Sequence, residues 1–151
     1  MIPQYLEGDM KKVALNFVAF MRANKMQPVW QSTNTWKANY KGKCICYVRL
    51  KTAGKISDRC SWSIQPYTNH MPEYEETIIN EKLQNTVWDN LNYCYGCHSA
   101  PCRQKEITIF EKQAKCICNG TFATLFFDPD EVIINVIKKL LELEQQARNE
   151  K

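Results

Sequence analysis

The sequence carries none of the short signatures that mark the commonest enzyme classes. There is no Gly-x-Ser-x-Gly elbow, no Gly-rich phosphate loop, no His-Glu-x-x-His and no Gly-x-Gly-x-x-Gly. Serine hydrolases, P-loop NTPases, zincins and dinucleotide enzymes are therefore without support. Histidine is scarce, with two in 151 residues. A Cys–His nucleophile pair built on His70 has no positive support in the sequence. No apolar run approaches the ~18 residues that a membrane-spanning helix needs. The opening MIPQYLEGDMKK lacks the basic and apolar regions of a secretory signal. The expectation is a soluble, cytoplasmic protein with no membrane partner. Charge is also ordinary: 20 Lys and Arg against 16 Asp and Glu give +4, with no long block of one sign. Non-specific nucleic-acid binding needs a concentrated basic face, so nucleic acid is a disfavoured partner. Repeats, low-complexity tracts and linkers are missing as well. A single domain is expected over 1–151, with its ordered core over about 9–145.

What is present suffices for a folded core: 44% of residues are hydrophobic and 11% aromatic. In DMKKVALNFVAFMRANK, from Asp9 to Lys25, Val13, Ala14, Phe17, Val18 and Met21 recur at helical spacing, with Phe20 at the edge of the stripe. Asp9 is a candidate cap, and Asn24 and Pro28 are the expected stop. KCICYVRLK, from Lys43, alternates as a strand does, with Cys44, Cys46, Val48 and Leu50 on one face. Lys41-Gly42 supplies the turn before it, and Cys60–Tyr67 its hairpin partner, which suggests a three-stranded meander. A second helix is expected over 73–93, with Ile79, Leu83, Val87 and Leu91 on one stripe, Ile78 and Trp88 beside it, and Pro72 at its start. Glu73, Glu75 and Glu76 are then first-turn carboxylates. Strands follow over 106–110, 114–118 and 121–127, with Asn119-Gly120 as the hairpin signal. A last helix begins at DPDE, where Asp128 caps, Pro129 opens and Glu131 completes a capping-box pair. Val132, Ile133, Val136, Ile137, Leu140, Leu141 and Leu143 form its apolar face. The order α-βββ-α-(Cys loop)-βββ-α predicts an α+β fold, antiparallel sheet packed by three helices.

Eight cysteines are the outstanding feature. In a reducing compartment they do not read as four disulfides. YCYGCHSAPC, from Tyr93 to Cys102, concentrates three of them. Cys94-x-x-Cys97-His98 matches a haem-attachment pattern, but covalent haem attachment normally requires export. A redox dithiol is disfavoured because Cys94 lies at the C-terminal end of the expected helix, where the dipole opposes a thiolate. The x2 spacing of Cys94 and Cys97 lets two thiolates turn onto one ion, with Gly96 as the flexible corner. Cys102 follows after four residues, and Cys118 is taken as the fourth ligand, with Cys116 and His98 in reserve. Cys116 and Cys118 face the same side of one strand, with Cα atoms roughly 6–7 Å apart, too far for one tetrahedral ion to take both beside the loop three. Zinc is the expected metal and an iron–sulfur cluster the alternative. Four protein ligands leave no open position, so such a site is structural. The competing account is that these are separate buried thiols. Cys44, Cys46 and Cys60 lack knuckle spacing and are expected in the core.

WQSTNTWKANYKGK, from Trp30 to Lys43, interleaves Trp30, Trp36 and Tyr40 with Lys37, Lys41 and Lys43. Trp30, Trp36, Lys37 and Tyr40 are therefore candidate ligand-binding residues. The alternative is that the aromatics anchor the sheet and the lysines are a solvated rim.

The first helix followed by WKANYKGKCICYVRL (Trp36–Leu50) resembles the start of small bacterial YdhG-like α+β domains. The segment from Cys94 through Asp128-Pro-Asp-Glu131 resembles the cysteine-bearing tail of uncharacterised bacterial proteins of that type. The resemblance implies an α+β fold and small-ligand or metal handling, and no reaction. Taken together, the expectation is a non-enzymatic binding or interaction module, with a small ligand or protein as partner and a structural zinc site held by four cysteines. The alternative is a thiol-based redox or metal-handling protein.

Overall fold

The apolar spacing around Ala14, Phe17, Val18 and Met21 winds Gly8–Ala23 into helix α1, with those four side chains buried. The structure, a computed structural model, describes residues 8–32, 35–50, 62–68, 70–91, 105–117 and 124–150. Asp9 lies inside α1 rather than ahead of it. The helix ends on Lys25 at φ 63°, with the Asn24 N–H donating to the Phe20 carbonyl at 3.1 Å. Pro28 plays no part in that stop. It sits within strand β1 (Met26–Ser32), at the sheet edge, where a missing N–H costs no ladder bond.

Strands β2 (Thr35–Tyr40) and β3 (Lys43–Leu50) follow, joined by the expected Lys41-Gly42 turn, with φ 52° and 81°. Positive φ at both centres is the two-residue hairpin geometry. β4 (Trp62–Pro66) pairs with β3, and β7 (Phe126–Phe127) pairs with β4, giving a five-stranded antiparallel sheet ordered β1-β2-β3-β4-β7. The spacing predicts a strand over 121–127 in a hairpin with 114–118. Phe126 instead joins the first sheet because its ring is buried in the main core. Asp128 locks the junction: its N–H donates to the Trp62 carbonyl at 2.9 Å, and its Oδ1 accepts the Trp62 N–H at 3.0 Å.

The alternation expected in β3 is broken by a bulge. Ala38 pairs with Cys46 but Asn39 pairs with Cys44, which leaves Ile45 as an extra residue. Ile45 and Cys46 are both fully buried while Cys44 is only half-buried. A bulge re-aims side chains on one strand relative to its partner, so Cys44 and Cys46 do not share the core face that simple alternation predicts.

The helix expected over 73–93 is two, α2 (Met71–Asn80) and α3 (Gln84–Asp89). Between them Lys82 adopts φ 61°, the Leu83 N–H reaches back to the Ile78 carbonyl and the Lys82 N–H to Ile79. This is a Schellman stop, usually made by glycine, and a lysine there gives no sequence signal. The break also rotates the apolar face. Met71, Tyr74 and Ile78 are buried in α2 and Ile79 is exposed.

β5 (Lys105–Ile109) and β6 (Lys112–Ile117) form a separate hairpin through Phe110-Glu111, both at positive φ. The carboxylate of Glu75 accepts the Phe110 N–H. Asn119-Gly120, the expected hairpin signal, lies outside the described residues. Helix α4 (Glu131–Asn149) is capped by Asp130, whose Oδ1 accepts the Ile133 N–H at 2.8 Å, rather than by Asp128. Val132 is 71% exposed, and Ile134 takes its place on the buried face with Val136, Ile137, Leu140, Leu141 and Leu143. α1 and α4 pack on the sheet and α2 packs on α4, and their buried residues share one core with Trp36, Ala38, Val48 and Ile64. The fold is α+β. No described helix is long and apolar enough to cross a membrane.

Candidate functional site

The buried stripe of α4 continues past Leu140 and Leu141 into Glu144, which is one helical turn on and 0% exposed. A carboxylate taken out of water must find donors for its oxygens. Glu144 has four. Its Oε1 accepts the Tyr74 hydroxyl at 2.9 Å and the His70 backbone N–H at 3.3 Å. Its Oε2 accepts Arg148 Nε at 3.2 Å and meets His70 Nδ1 at 2.6 Å. That contact engages Nδ1, and the ring's other nitrogen, Nε2, has no hydrogen-bond partner among the described residues.

The last turn of α4 ties this cluster to the sheet. Arg148 Nη2 donates to the Cys44 carbonyl at 2.8 Å, and its guanidinium lies 4.4 Å from the centre of the Tyr67 ring. Arg148 Nη1 is buried without a partner among the described residues. Asn149 Oδ1 accepts from Tyr40 Oη at 3.0 Å and from Lys41 Nζ at 2.7 Å. Gln145 Nε2 donates to the Asn24 carbonyl at 2.8 Å. The end of α4 thus fastens the C-terminal end of α1, the β2–β3 turn, the β3 bulge and the start of α2.

These elements enclose a cleft of about 440 Å³. Lys41, Lys43 and Arg148 supply its fixed positive charge, His70 and Cys44 supply titratable groups, and Tyr40 and Tyr67 supply aromatic wall. No Asp or Glu is among its described lining residues. Burial pushes the Cys44 thiol up, outweighing its hydrogen bond to the Cys46 carbonyl, its contact with Tyr47 and the charges of Lys37 and Arg148. Burial likewise pushes up Cys46, with Cys44 adding to the effect. Both are protonated thiols at neutral pH rather than thiolate nucleophiles. Tyr74 is pushed well above the ordinary phenol value, first by burial and then by the charge of Glu144 beside it.

These shifts set the alkaline limb of stability. In the unfolded chain the thiols ionise near 9.0 and the phenol near 10.0, whereas in the fold burial keeps all three protonated. The unfolded state therefore sheds protons first as pH rises. Stability is fully present below about pH 9 and declines above it. Tyr74→Phe is expected to cost about 1.5–3 kcal/mol at neutral pH, the worth of a hydrogen bond to a charged acceptor, and to flatten that decline. Urea unfolding across the alkaline range measures both. An unchanged slope would show that Tyr74 is not the group responsible.

Of the residues picked out for ligand binding, the structure separates what the sequence interleaves. Tyr40 borders the cleft together with Lys41 and Lys43. Trp36 is buried in the main core at 7% exposure. Trp30, its cross-strand partner, is 64% exposed on the edge strand. Lys37 alternates to the other face, paired with Tyr47. Cys94, Cys97, His98, Cys102 and Cys118 lie outside the described residues, as do Cys60 and the side chain of Cys116. Among the described residues no group of three or more His, Cys, Asp or Glu is placed to hold a metal ion.

Sequence reading missed Glu144, Arg148 and Tyr74. A signal existed: Glu144 falls seven residues after Ile137 on the apolar stripe and four before Arg148, so a charge was being carried into the core beside its i+4 partner. Tyr74 and His70 carried no such mark, since their role depends on α2 docking against α4. The chain matches no family model, no curated protein and no solved structure.

Proposed function

We propose that the protein is a binding module whose cleft takes a small anionic ligand. One observation carries the reading: Lys41, Lys43, Arg148 and His70 line a single concavity with no carboxylate among its described lining residues. Glu144 is fully buried behind it and already accepts four hydrogen bonds. The cleft is within the size range of small-molecule sites. It concentrates positive potential where a dianion would be neutralised by side chains already held in place.

Inorganic phosphate and sulfate are the direct probes. Either is expected to raise the thermal unfolding midpoint at low ionic strength, by the equivalent of about 2.7 kcal/mol at a hundred times its dissociation constant. Lys43→Glu should abolish the shift, and added sodium chloride should weaken it through screening. If neither anion moved the midpoint at low salt, the proposal would fall.

Alongside the cleft, the spacing Cys94-x2-Cys97-x4-Cys102-x15-Cys118 supports a structural zinc site. Four thiolates gathered by one ion would stabilise the fold without taking part in ligand binding. An iron–sulfur cluster or a labile thiol centre is the rival account. Metal analysis of protein purified without added metal distinguishes them: one zinc per chain is expected, and Cys97→Ser should lose it and lower the unfolding midpoint. Full zinc occupancy in that variant would remove Cys97 from the ligand set.

A further inference from the structure

We infer that His70 Nε2 is a phosphoryl acceptor, forming a phosphohistidine from a small acyl phosphate bound in the cleft; this rests on the anion-binding reading above. A histidine becomes a nucleophile toward phosphorus when one ring nitrogen holds the proton and the other keeps its lone pair accessible. The contacts already described fit both conditions. In the reactive tautomer Nδ1 donates to Glu144 Oε2, 2.6 Å away. The ring is 23% exposed, lines the cleft, and leaves Nε2 without a hydrogen-bond partner among the described residues.

The charge balance of the step also fits the surroundings. The Nε2 lone pair attacks phosphorus, an N–P bond forms, and the P–O bond to the acyl group breaks. The leaving carboxylate departs with the bonding pair and needs no proton. Positive charge grows on the imidazole as the bond forms, and Glu144, fully buried and 2.6 Å from Nδ1, compensates it in place. Negative charge on the phosphoryl oxygens develops in a cleft also lined by Lys41, Lys43 and Arg148. Water attack on the N–P bond later returns free imidazole and inorganic phosphate.

Cys44 also lines the cleft, and its thiol does not compete. Its thiol is half-buried and directed to the Cys46 carbonyl, and burial keeps it protonated.

The test uses the full chain with acetyl phosphate, followed by mass spectrometric mapping of acid-labile phosphate. His98, the other histidine, and the urea-unfolded chain are internal references. Labelling is expected on His70 in the native protein, about a hundred-fold faster than in the unfolded chain, the order that pre-placed charges contribute. Excess sulfate should block it. His70→Asn should abolish it, because the asparagine amide can still donate to Glu144 but offers nothing at the Nε2 position. The native-against-unfolded comparison on the unaltered chain stands even if that variant folds poorly. Labelling of His70 no faster than His98, or no faster than in the unfolded chain, overturns the inference. A cleft that binds inorganic phosphate but gives no phosphohistidine sinks the inference alone, whereas absence of phosphate binding removes the cleft reading with it.

Discussion

Replacing Glu144 with leucine is expected to remove about 3–5 kcal/mol of stability, the usual cost of breaking a buried charge pair by taking away one partner. Leucine fills a similar volume, so the loss is not a cavity effect. It arises from what is left behind. The Arg148 guanidinium loses the carboxylate at 3.2 Å, the Tyr74 hydroxyl loses its acceptor in the core, and the His70 backbone N–H loses the oxygen it donates to. Each orphaned group carries its own desolvation penalty. Against a typical domain stability of about 5–15 kcal/mol, the variant should unfold in markedly less urea than the parent. The loss should shrink in combination. Removing the whole cluster with Glu144→Leu, Tyr74→Phe and Arg148→Met leaves fewer unpaired groups than the single change, so the triple variant is expected to regain most of the loss. That non-additivity separates a hydrogen-bonded network from three independent contacts. A single Glu144→Leu variant within about 1 kcal/mol of the parent would show that the four contacts are not made in solution. Anion binding should vanish in the triple variant although the fold is recovered, because Arg148 no longer lines the cleft.

The second large effect is expected at Trp62. Its side chain is the largest of those fully buried, and its backbone holds Asp128 through two hydrogen bonds that join β4 to β7 and the start of α4. Trp62→Ala should cost about 3–5 kcal/mol, from lost transfer energy plus the cavity that remains. Trp62→Phe should cost far less than its volume alone implies. The indole Nε1 is buried without a partner among the described residues, so phenylalanine removes an unsatisfied donor while keeping most of the apolar contact. Denaturant unfolding of the pair would decide the matter. If the phenylalanine variant were as damaged as the alanine one, the indole nitrogen would have to be satisfied in the native protein.

The two variants bear on different parts of what the chain encodes. Trp62 opens a short strand, Trp-Ser-Ile-Gln-Pro, that lies within the expected 60–67 hairpin arm. The buried stripes of α1 and α4, the Lys41-Gly42 turn and the α+β class are all legible as periodicity, because hydrophobic spacing reports directly which face leaves water. Capping was legible to within two residues: an aspartate does hold α4, but it is Asp130 and not Asp128, since Asp128 is drawn off to Trp62. Stops at Lys25 and Lys82 were not legible. Left-handed lysines take their conformation from the backbone hydrogen bonds around them rather than from their own preference. The bulge at Ile45 was hidden for a similar reason, since register is settled between two strands and not within one.

The candidate site divides in the same way. By itself the sequence determined most of the periodic stripes, the α+β class, and the supply of chemically capable residues: the lysines around Tyr40, the scarce histidines and the cysteine spacing from Cys94 to Cys118. Only the tertiary structure decided which of them meet. His70 and Glu144 are 74 residues apart, and Lys41 and Asn149 are 108 apart. The physical reason is range. Hydrophobic periodicity is a property of neighbours a few bonds apart. A buried carboxylate is tolerable only where distant donors converge on it, and that convergence exists nowhere in the chain until the helices dock on the sheet.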